Sequence, residues 1–399
     1  MKILSQLFRR SRGGYSLSST LAVLAGLVLT LGAFLGIVTS RPGGSYEHKI
    51  LFRHWDWVNG VSFSPDGRYL ASGSDDGTAV LWDAASGSVV AHLEGHGDLV
   101  DPIRFSPDGR YLATASHDGT ARLWAVPSGR LLAVLRGHRG PLYDLTFAAA
   151  GKYLATAGDC GELMLWSVPS GARLARARVR CGGLSPAVWS LAAHPRQNLL
   201  ATGAEDGAVR VYHLSEGQTG DLELRQLGAA DSGHGGSVND VVFSPDGRYL
   251  ASAGDDGAVA IWETGSGLRR HLLRLHHGPI LTVAFSPDGS LLASGGEDGT
   301  ARLWEVQSGK QKATLVGHGK WIESLAFSPN GRKLATGSED NTVRVWRVSN
   351  GRQCARLVTA APSEADGWVE QGTVAFSPDG RFLATAGSPL VARIWDLVP

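Results

Sequence analysis

The stretch HWDWVNGVSFSPDGRYLASGSDDGTAVLW, from His54 to Trp82, decides the fold. Its first apolar run ends at the Ser-Pro-Asp-Gly turn 64–67, where proline presets φ and glycine accepts a left-handed conformation. A second run ends at an Asp-Gly pair, which is a strong hairpin signal, and a third run ends at Trp82. A fourth run follows a Ser-Gly turn, so the stretch predicts a small antiparallel sheet.

The same unit recurs along the chain with a basic spacing of 42 residues. A fixed period of this length is typical of one structural unit repeated around an architecture. Four short antiparallel strands per unit describe the blade of a β-propeller. We therefore predict an all-β fold, a single eight-bladed propeller. The eight closing aromatic residues are Trp82, Trp124, Trp166, Tyr212, Trp262, Trp304, Trp346 and Trp395.

These units resemble the WD-repeat β-propeller family over about residues 46–396, in the form of bacterial-type repeats on a membrane anchor. The resemblance implies that a buried His, Ser or Thr, Asp and Trp share a hydrogen-bond chain that locks each blade, since buried polar groups need partners. Five blades carry the full set: His54, Ser72, Asp76, Trp82; His96, Thr114, Asp118, Trp124; His234, Ser252, Asp256, Trp262; His276, Ser294, Asp298, Trp304; His318, Thr336, Asp340, Trp346.

Three blades depart from this pattern, and we expect them to be less rigid. The third has Cys160 at the Asp position, and the eighth has Pro389 there without a preceding histidine. The fourth ends in Tyr212 and has Cys181 near the place of the missing histidine. A disulfide between Cys160 and Cys181 is one interpretation, and two free thiols are the other.

Residues 48–53 precede the first blade, whereas the chain ends just after the third strand of the eighth. We expect residues 48–53 to supply the missing outer strand of the eighth blade. This closure would remove an open sheet edge and make residues 47–399 one domain.

The N-terminal segment has a different composition. Residues 1–16 form a basic tail without acidic residues, and residues 17–40 carry no charge. About 20 apolar helical residues cross a bilayer, so we predict a transmembrane signal anchor at 17–40 and a linker at 41–46. The positive-inside rule places the tail in the cytoplasm and the propeller on the periplasmic or extracellular side. The alternative is a cleaved signal peptide and a secreted propeller.

The charge balance and the motifs of the sequence exclude several classes of partner and function. The chain balances 38 basic against 37 acidic residues and shows no basic stripe with interleaved aromatics, so we expect no nucleic-acid partner. It contains no phosphate-binding loop, kinase signature, nucleophile elbow or paired metal-ligand motif. The sequence thus predicts no catalytic residues, no cofactor and no metal site.

Five tryptophans lie outside the closing positions, each predicted between an outer strand and the next inner strand. In the WD-repeat fold these connections emerge at one end of the ring, the top face, which is the usual partner-binding face. Tryptophan is enriched in interface hot spots, and the polar residues beside these tryptophans vary between blades. The predicted partner-binding residues are Trp55, Trp57, Asn59, Asp101, Tyr143, Trp189, Asn239, Trp321, Glu323 and Trp368.

The sequence therefore predicts a membrane-tethered, non-catalytic scaffold that presents its top face to a protein or peptide. Packing of the tryptophans against neighbouring blades is the alternative for each residue alone. Two alternatives apply to the whole protein. It is an enzyme that uses the central channel, or it is a soluble cytoplasmic signalling scaffold.

Overall fold

Short apolar runs separated by glycine-containing turns form antiparallel β-strands throughout the structure. The computed structural model describes residues 48–179, 185–216, 222–229, 233–359 and 373–397. Within these ranges the one helical segment is a short 3₁₀ turn, Ala149–Gly151. No helix there is long and apolar enough to cross a bilayer. The predicted anchor 17–40 lies outside these ranges, as do the tail, the linker, Cys181 and Trp368.

The strands follow the chain in groups of four. Blades 1 and 2 contain β1 (His48–Phe63), β2 (Tyr69–Ser74), β3 (Ala79–Asp83), β4 (Val89–Leu93), β5 (Val100–Phe105), β6 (Tyr111–Ser116), β7 (Thr120–Ala125) and β8 (Arg130–Arg136). Blades 3 and 4 contain β9 (Leu142–Ala148), β10 (Tyr153–Gly158), β11 (Glu162–Ser167), β12 (Arg173–Arg178), β13 (Val188–Ala193), β14 (Leu199–Ala204), β15 (Val209–Glu216) and β16 (Leu222–Ala229).

The second half repeats the arrangement. Blades 5 and 6 contain β17 (Val238–Phe243), β18 (Tyr249–Gly254), β19 (Ala258–Glu263), β20 (Arg269–Arg274), β21 (Ile280–Phe285), β22 (Leu291–Gly296), β23 (Thr300–Glu305) and β24 (Gln311–Val316). Blades 7 and 8 contain β25 (Ile322–Phe327), β26 (Lys333–Ser338), β27 (Thr342–Arg347), β28 (Gln353–Val358), β29 (Val374–Phe376), β30 (Phe382–Thr385) and β31 (Ser388–Asp396).

Six blades are separate four-stranded sheets, and the eighth and first blades share one seven-stranded sheet because β1 serves both. Its first part pairs antiparallel with β31, from His48 opposite Trp395 to Phe52 opposite Val391. Its second part, from Val58 to Phe63, pairs with β2. This is the ring closure that the sequence predicts.

Strands a, b, c and d of each blade run from the inside of the ring outward. The a strands of successive blades contact one another, and β29 contacts β1, so these strands form a closed inner ring. The connections from d to the next a, together with the b–c turns, lie at one end, the top face. Gly77 in the first b–c turn illustrates the tight approach there, since its φ is +77° and a Cβ atom would lie 3.1 Å from the His96 carbonyl oxygen.

The core lies between neighbouring blades rather than inside a single sheet. Leu81 and Leu93 of blade 1 pack with Ile103 and Trp124 of blade 2. Further around the ring, Trp304 of blade 6 packs in the same way against Ile261 and Leu273 of blade 5. Because one sheet cannot bury both of its faces, each blade depends on its neighbours for stability.

Candidate functional site

A hydrogen-bond chain runs through each complete blade, as blade 2 shows. The Thr114 hydroxyl oxygen lies 2.9 Å from His96 Nε2 and accepts a hydrogen bond from Trp124 Nε1 at 3.0 Å. The other imidazole nitrogen, Nδ1, lies 3.1 Å from Asp118 Oδ2. Asp118 also accepts from the backbone N–H groups of Gly97 and Thr120. The chain thereby ties the d–a connection, the b strand and the c strand together at the top face.

The same five kinds of contact occur in the other complete blades. Between the histidine Nε2 and the hydroxyl oxygen the distance is 2.8 Å for His54, His234 and His276, and 2.7 Å for His318. Burial alone would raise the pKa of the aspartates, but the hydrogen bonds that each accepts outweigh it. As a result the pKa of Asp76 and of Asp298 falls to about 2.

In blade 3 the acidic residue lies two positions later in the chain than the aspartate of the complete blades. Cys160 is a free thiol at the aspartate position, while His138 Nε2 still lies 2.8 Å from the Thr156 hydroxyl. The buried Glu162 carboxylate accepts hydrogen bonds from Arg176 and Arg178 of the outer strand. Burial lowers the pKa of His138 to about 4, so this histidine is neutral at physiological pH.

Blades 4 and 8 keep only parts of the chain. In blade 4 Asp206 forms an ion pair with Arg210 instead of contacting a histidine. Burial raises the pKa of Tyr212, which takes the place of tryptophan. In blade 8 Trp395 Nε1 donates to the Thr385 hydroxyl at 3.0 Å. The strand that begins just before Pro389 pairs with β1, so strand pairing continues where the aspartate is missing.

The predicted binding residues divide by exposure. Trp55 is 76% exposed, Trp321 38% and Trp189 37%, whereas Trp57 is half-buried. Asn59, by contrast, is buried. Its side-chain amide donates to Asp75 and so holds the neighbouring b–c turn. The remaining predicted polar residues, Asp101, Tyr143, Asn239 and Glu323, are half-buried.

The strand bounds correct the predicted position of three tryptophans. Trp189 lies within β13, and Trp55 and Trp57 lie within β1, not in connections between strands. Trp57 and Trp189 nevertheless sit at the start of an a strand, next to the top face. Trp57 lies opposite Pro389 of β31, and Trp189 is the bulged residue of β13 that follows Val188.

Sequence reasoning missed a ring of acidic residues on the top face. The residue directly before the repeated aspartate of the b–c turn is acidic in most blades. This repeated position is the sequence signal that could have revealed the acidic ring. Asn239 donates to the member in blade 5, Asp255, at 2.8 Å. The acidic members are Asp75, Asp159, Glu205, Asp255, Glu297 and Glu339, and blade 2 has His117 there.

Members of this ring interact across blades. Burial, followed by repulsion from Asp255 and Glu339 of the two neighbouring blades, raises the pKa of Glu297. Like charges disfavour the ionised form in this way when they lie within a few ångströms and are not neutralised. The acidic ring therefore contributes negative charge to the top face, which favours cationic partners.

An aromatic row crosses three blades of the same face. Tyr143 stacks on Trp189 with ring centroids 4.5 Å apart and an interplanar angle of 25°. The imidazole of His117 meets Tyr143 edge-on, with centroids 5.6 Å apart. Two of these residues belong to the predicted binding set, and the third, His117, does not.

The opposite end of the ring, formed by the a–b and c–d turns, carries basic residues. In five blades the arginine or lysine after the a–b turn lies over the aromatic ring that follows it, as Arg68 does over Tyr69. The others are Arg110 over Tyr111, Lys152 over Tyr153, Arg248 over Tyr249 and Arg381 over Phe382. A cleft of about 490 Å³ also opens at this end between blades 4 and 5, lined by His194, Tyr249 and Arg270. Glu263 pairs with Arg270 at 2.9 Å, and Arg196, Arg248 and Asp246 also line this cleft.

Two acidic residues of the inner ring have a structural role. Asp144 Oδ2 accepts from the Leu191 backbone N–H at 2.7 Å, and Asp240 Oδ2 accepts from the Val283 N–H at 2.9 Å. Each carboxylate thus joins its a strand to the a strand of the next blade. Burial, together with repulsion from Asp144, raises the pKa of Asp240 to about 6. In the described part of the chain no group of three or more His, Cys, Asp or Glu residues is placed to hold a metal ion.

The closed ring of blades and the repeated His–Ser/Thr–Trp hydrogen-bond chains define a β-propeller. A family model described as "WD domain, G-beta repeat" matches residues 46–83, 87–125, 129–167, 179–213, 226–263, 268–305, 309–347 and 366–396. The chain belongs to this WD40 repeat family.

Similar curated proteins match over short segments. The chain is 40% identical over 80 residues to a probable cytosolic iron-sulfur protein assembly protein, Ciao1, of Culex quinquefasciatus, which covers 20% of this chain and 22% of that protein. It is 34% identical over 96 residues to Protein HIR1 of Yarrowia lipolytica, covering 20% of this chain and 9% of that protein. The matched segments thus span less than a quarter of each relative.

A solved structure, that of the computationally designed Ika8 protein, superposes with a TM-score of 0.72. The match covers 88% of this chain and all of the designed chain at 22% identity. This likeness supports the fold alone.

Proposed function

We propose that this protein is a non-catalytic scaffold that binds a protein or peptide on the top face of its propeller. The observation that carries the proposal is the exposure of Trp55, Trp189 and Trp321 at one end of a rigid ring. Large apolar side chains that remain exposed at one face, with polar neighbours, are typical of protein-interaction sites. The WD40 relatives include a protein named for iron-sulfur protein assembly, which agrees with a role in assembly.

The electrostatics of the two ends favour a particular class of partner. The acidic ring on the top face would repel the phosphates of a nucleic acid, so we propose a protein or peptide partner there. The half-buried acids Asp144 and Asp240 accept hydrogen bonds from backbone N–H groups of neighbouring blades. They therefore support a structural role rather than catalysis in the channel.

We further propose that residues 17–40 tether the propeller to a membrane, with the propeller on the periplasmic or extracellular side. Within the propeller, β1 starts at the c–d end, where Lys49 Nζ donates to the carbonyl oxygen of Ala84 at 3.3 Å. The chain thus joins the ring at the end opposite the exposed tryptophans.

Partner capture by variants tests the scaffold proposal. The full chain and a Trp55→Ala/Trp321→Ala variant would be used to co-purify partners from cross-linked cells. We expect specific partners to be lost from the variant while its unfolding temperature stays within about 2 °C of the wild type, because both side chains are substantially exposed. The control is Leu268→Ala, which removes an exposed apolar side chain at the opposite end. Equal losses in both variants would count against a top-face site.

Protease accessibility tests the tether. In cells whose outer barrier is permeabilised, we expect digestion of the propeller while the full-length species sediments with membranes. Protection until the membrane is dissolved would reverse the proposed topology. Release of the intact propeller into the soluble fraction would support a cleaved signal peptide instead.

A further inference from the structure

The aromatic row on blades 2 to 4 combines stacked rings with nearby acidic residues. Trp189 stacks on Tyr143 and still keeps 37% of its surface exposed. Tyr143 Oη donates to Asp159 Oδ1 at 3.5 Å, and Asp159 is exposed. On the next blade, Glu205 is exposed and accepts from the N–H of Ala187, two residues before Trp189. One exposed aromatic surface is therefore flanked by two carboxylates from adjacent blades.

No lysine, arginine or histidine in the described ranges forms an ion pair with Asp159 or Glu205. Both charges also act on Tyr143, whose pKa is raised first by burial and then by Asp159 and Glu205. A negative field thus surrounds the stacked rings.

The backbone keeps the acidic group in place. Gly140 lies in the d–a connection of blade 3, and a Cβ atom on it would lie 3.1 Å from Asp159 Oδ2. The absence of a side chain at Gly140 therefore leaves room for the carboxylate beside the aromatic row. A backbone hydrogen bond from Asp159 N–H to the Pro141 carbonyl, at 3.0 Å, fixes the turn that carries it.

We propose that Trp189, stacked on Tyr143 and flanked by Asp159 and Glu205, binds an arginine side chain of a basic segment in the protein partner. A planar guanidinium stacks on an aromatic ring and donates to carboxylates at its edge. A lysine ammonium offers a point charge without the stacking surface, so arginine fits this arrangement better. This inference rests on the proposed function and specifies the chemistry of the partner.

Binding of a defined peptide tests the proposal. The purified full chain in a non-ionic detergent would be titrated against a fluorescein-labelled glycine/serine peptide that carries two arginines, with fluorescence anisotropy as the readout. We expect Trp189→Ala to weaken binding about three- to tenfold, and Trp189→Phe to retain part of the affinity. We expect Glu205→Gln to weaken binding about two- to fivefold at low ionic strength, an effect that high salt abolishes.

Blade 7 supplies a matched charge control, because Glu339 occupies the same turn position as Glu205. Leu268, an exposed apolar residue at the opposite end of the ring, supplies the control for Trp189. We expect Leu268→Ala and Glu339→Gln to bind the arginine peptide like the wild type, and a lysine peptide to bind the wild type more weakly. Thermal unfolding of every variant would verify that it is folded.

Equal weakening by the blade 4 and blade 7 variants would overturn the proposal, because it would show general attraction to an acidic face. Equal binding of the lysine and arginine peptides would overturn it as well. Either result would leave the broader scaffold proposal standing if partner capture still depends on Trp55 and Trp321. If the arginine peptide binds as expected but partner capture does not depend on Trp55 and Trp321, only the scaffold proposal is rejected.

Discussion

Leu51 lies directly opposite Ala392 in the strand pair that joins the first described strand to the last. Leu51 is 1% exposed and packs with Trp82, Ala384 and Ile394 between the first and eighth blades. Two distant parts of the sequence thus complete one blade and close the ring.

Because β1 closes the ring, we expect one substitution in this strand pair to destabilise the whole propeller. Leu51→Ala should lower the free energy of unfolding by about 2–4 kcal/mol, because it leaves a cavity in a buried interface. The control is its neighbour Ile50, which is 57% exposed, so Ile50→Ala should cost less than about 0.5 kcal/mol. Urea unfolding followed by fluorescence measures both, and similar losses in the two variants would show that this strand pair is not a stabilising closure.

The hydroxyl group of Thr114 should contribute more to stability than the shape of its side chain. Thr114→Val removes the acceptor of Trp124 Nε1 and the partner of His96 Nε2, and should cost about 2–3 kcal/mol because both buried groups lose a hydrogen bond. Thr114→Ser keeps the hydroxyl, which Ser72 supplies in blade 1, and should cost less than about 1 kcal/mol. Calorimetric unfolding distinguishes them, and an equal loss in the two variants would assign the effect to packing.

Blade 3 can be given the arrangement of blade 2. In the Cys160→Asp/Glu162→Thr variant the new carboxylate should contact His138, as Asp118 contacts His96. We expect a gain of about 1–2 kcal/mol in stability, since a buried imidazole gains a charge-assisted hydrogen bond. NMR titration should show the pKa of His138 rising from about 4. An unchanged His138 pKa would mean that the carboxylate points elsewhere.

Asp240 predicts a pH dependence of defined sign. Its pKa in the folded chain is about 6, above the value of about 3.9 for an unfolded aspartate. Between these two pKa values the folded chain keeps the Asp240 proton, whereas the unfolded chain releases it. The contribution of this protonated carboxyl group to the free energy of unfolding is therefore complete below about pH 4, and it is lost as the pH rises through about 6. Asp240→Asn should gain about 1–2 kcal/mol relative to the wild type between pH 4 and pH 7.5.

Urea midpoints at the two pH values measure this gain. Asp246→Asn is a suitable control, because Asn330 occupies the equivalent turn position in blade 7 and accepts the same serine hydrogen bond. Hydrogen bonding lowers the pKa of Asp246 despite burial, so its contribution is lost only below about pH 4. A gain for Asp240→Asn that is the same at both pH values would contradict the raised pKa.

Much of the fold could be predicted because its signals are local. The turn residues, strands a, b and c of each blade and the His-to-Trp spacing of 28 lie within one repeat, so a single repeat reveals them. The hydrogen bonds of His54 to Ser72 and Asp76 join residues of that same repeat. The burial of Asn59 depends on the packing of the folded blade, which the sequence alone does not show.

The sequence by itself determined the blade, its repetition and the strand that closes the ring, because each is encoded by periodic residues close in the chain. Only the tertiary structure decided which residues meet across blades. Tyr143 and Trp189 belong to different repeats, and their stacking depends on the angle and distance between neighbouring sheets. The acidic ring likewise becomes a single negative surface only when the blades close into a circle, since electrostatic coupling depends on distance in space and not along the chain.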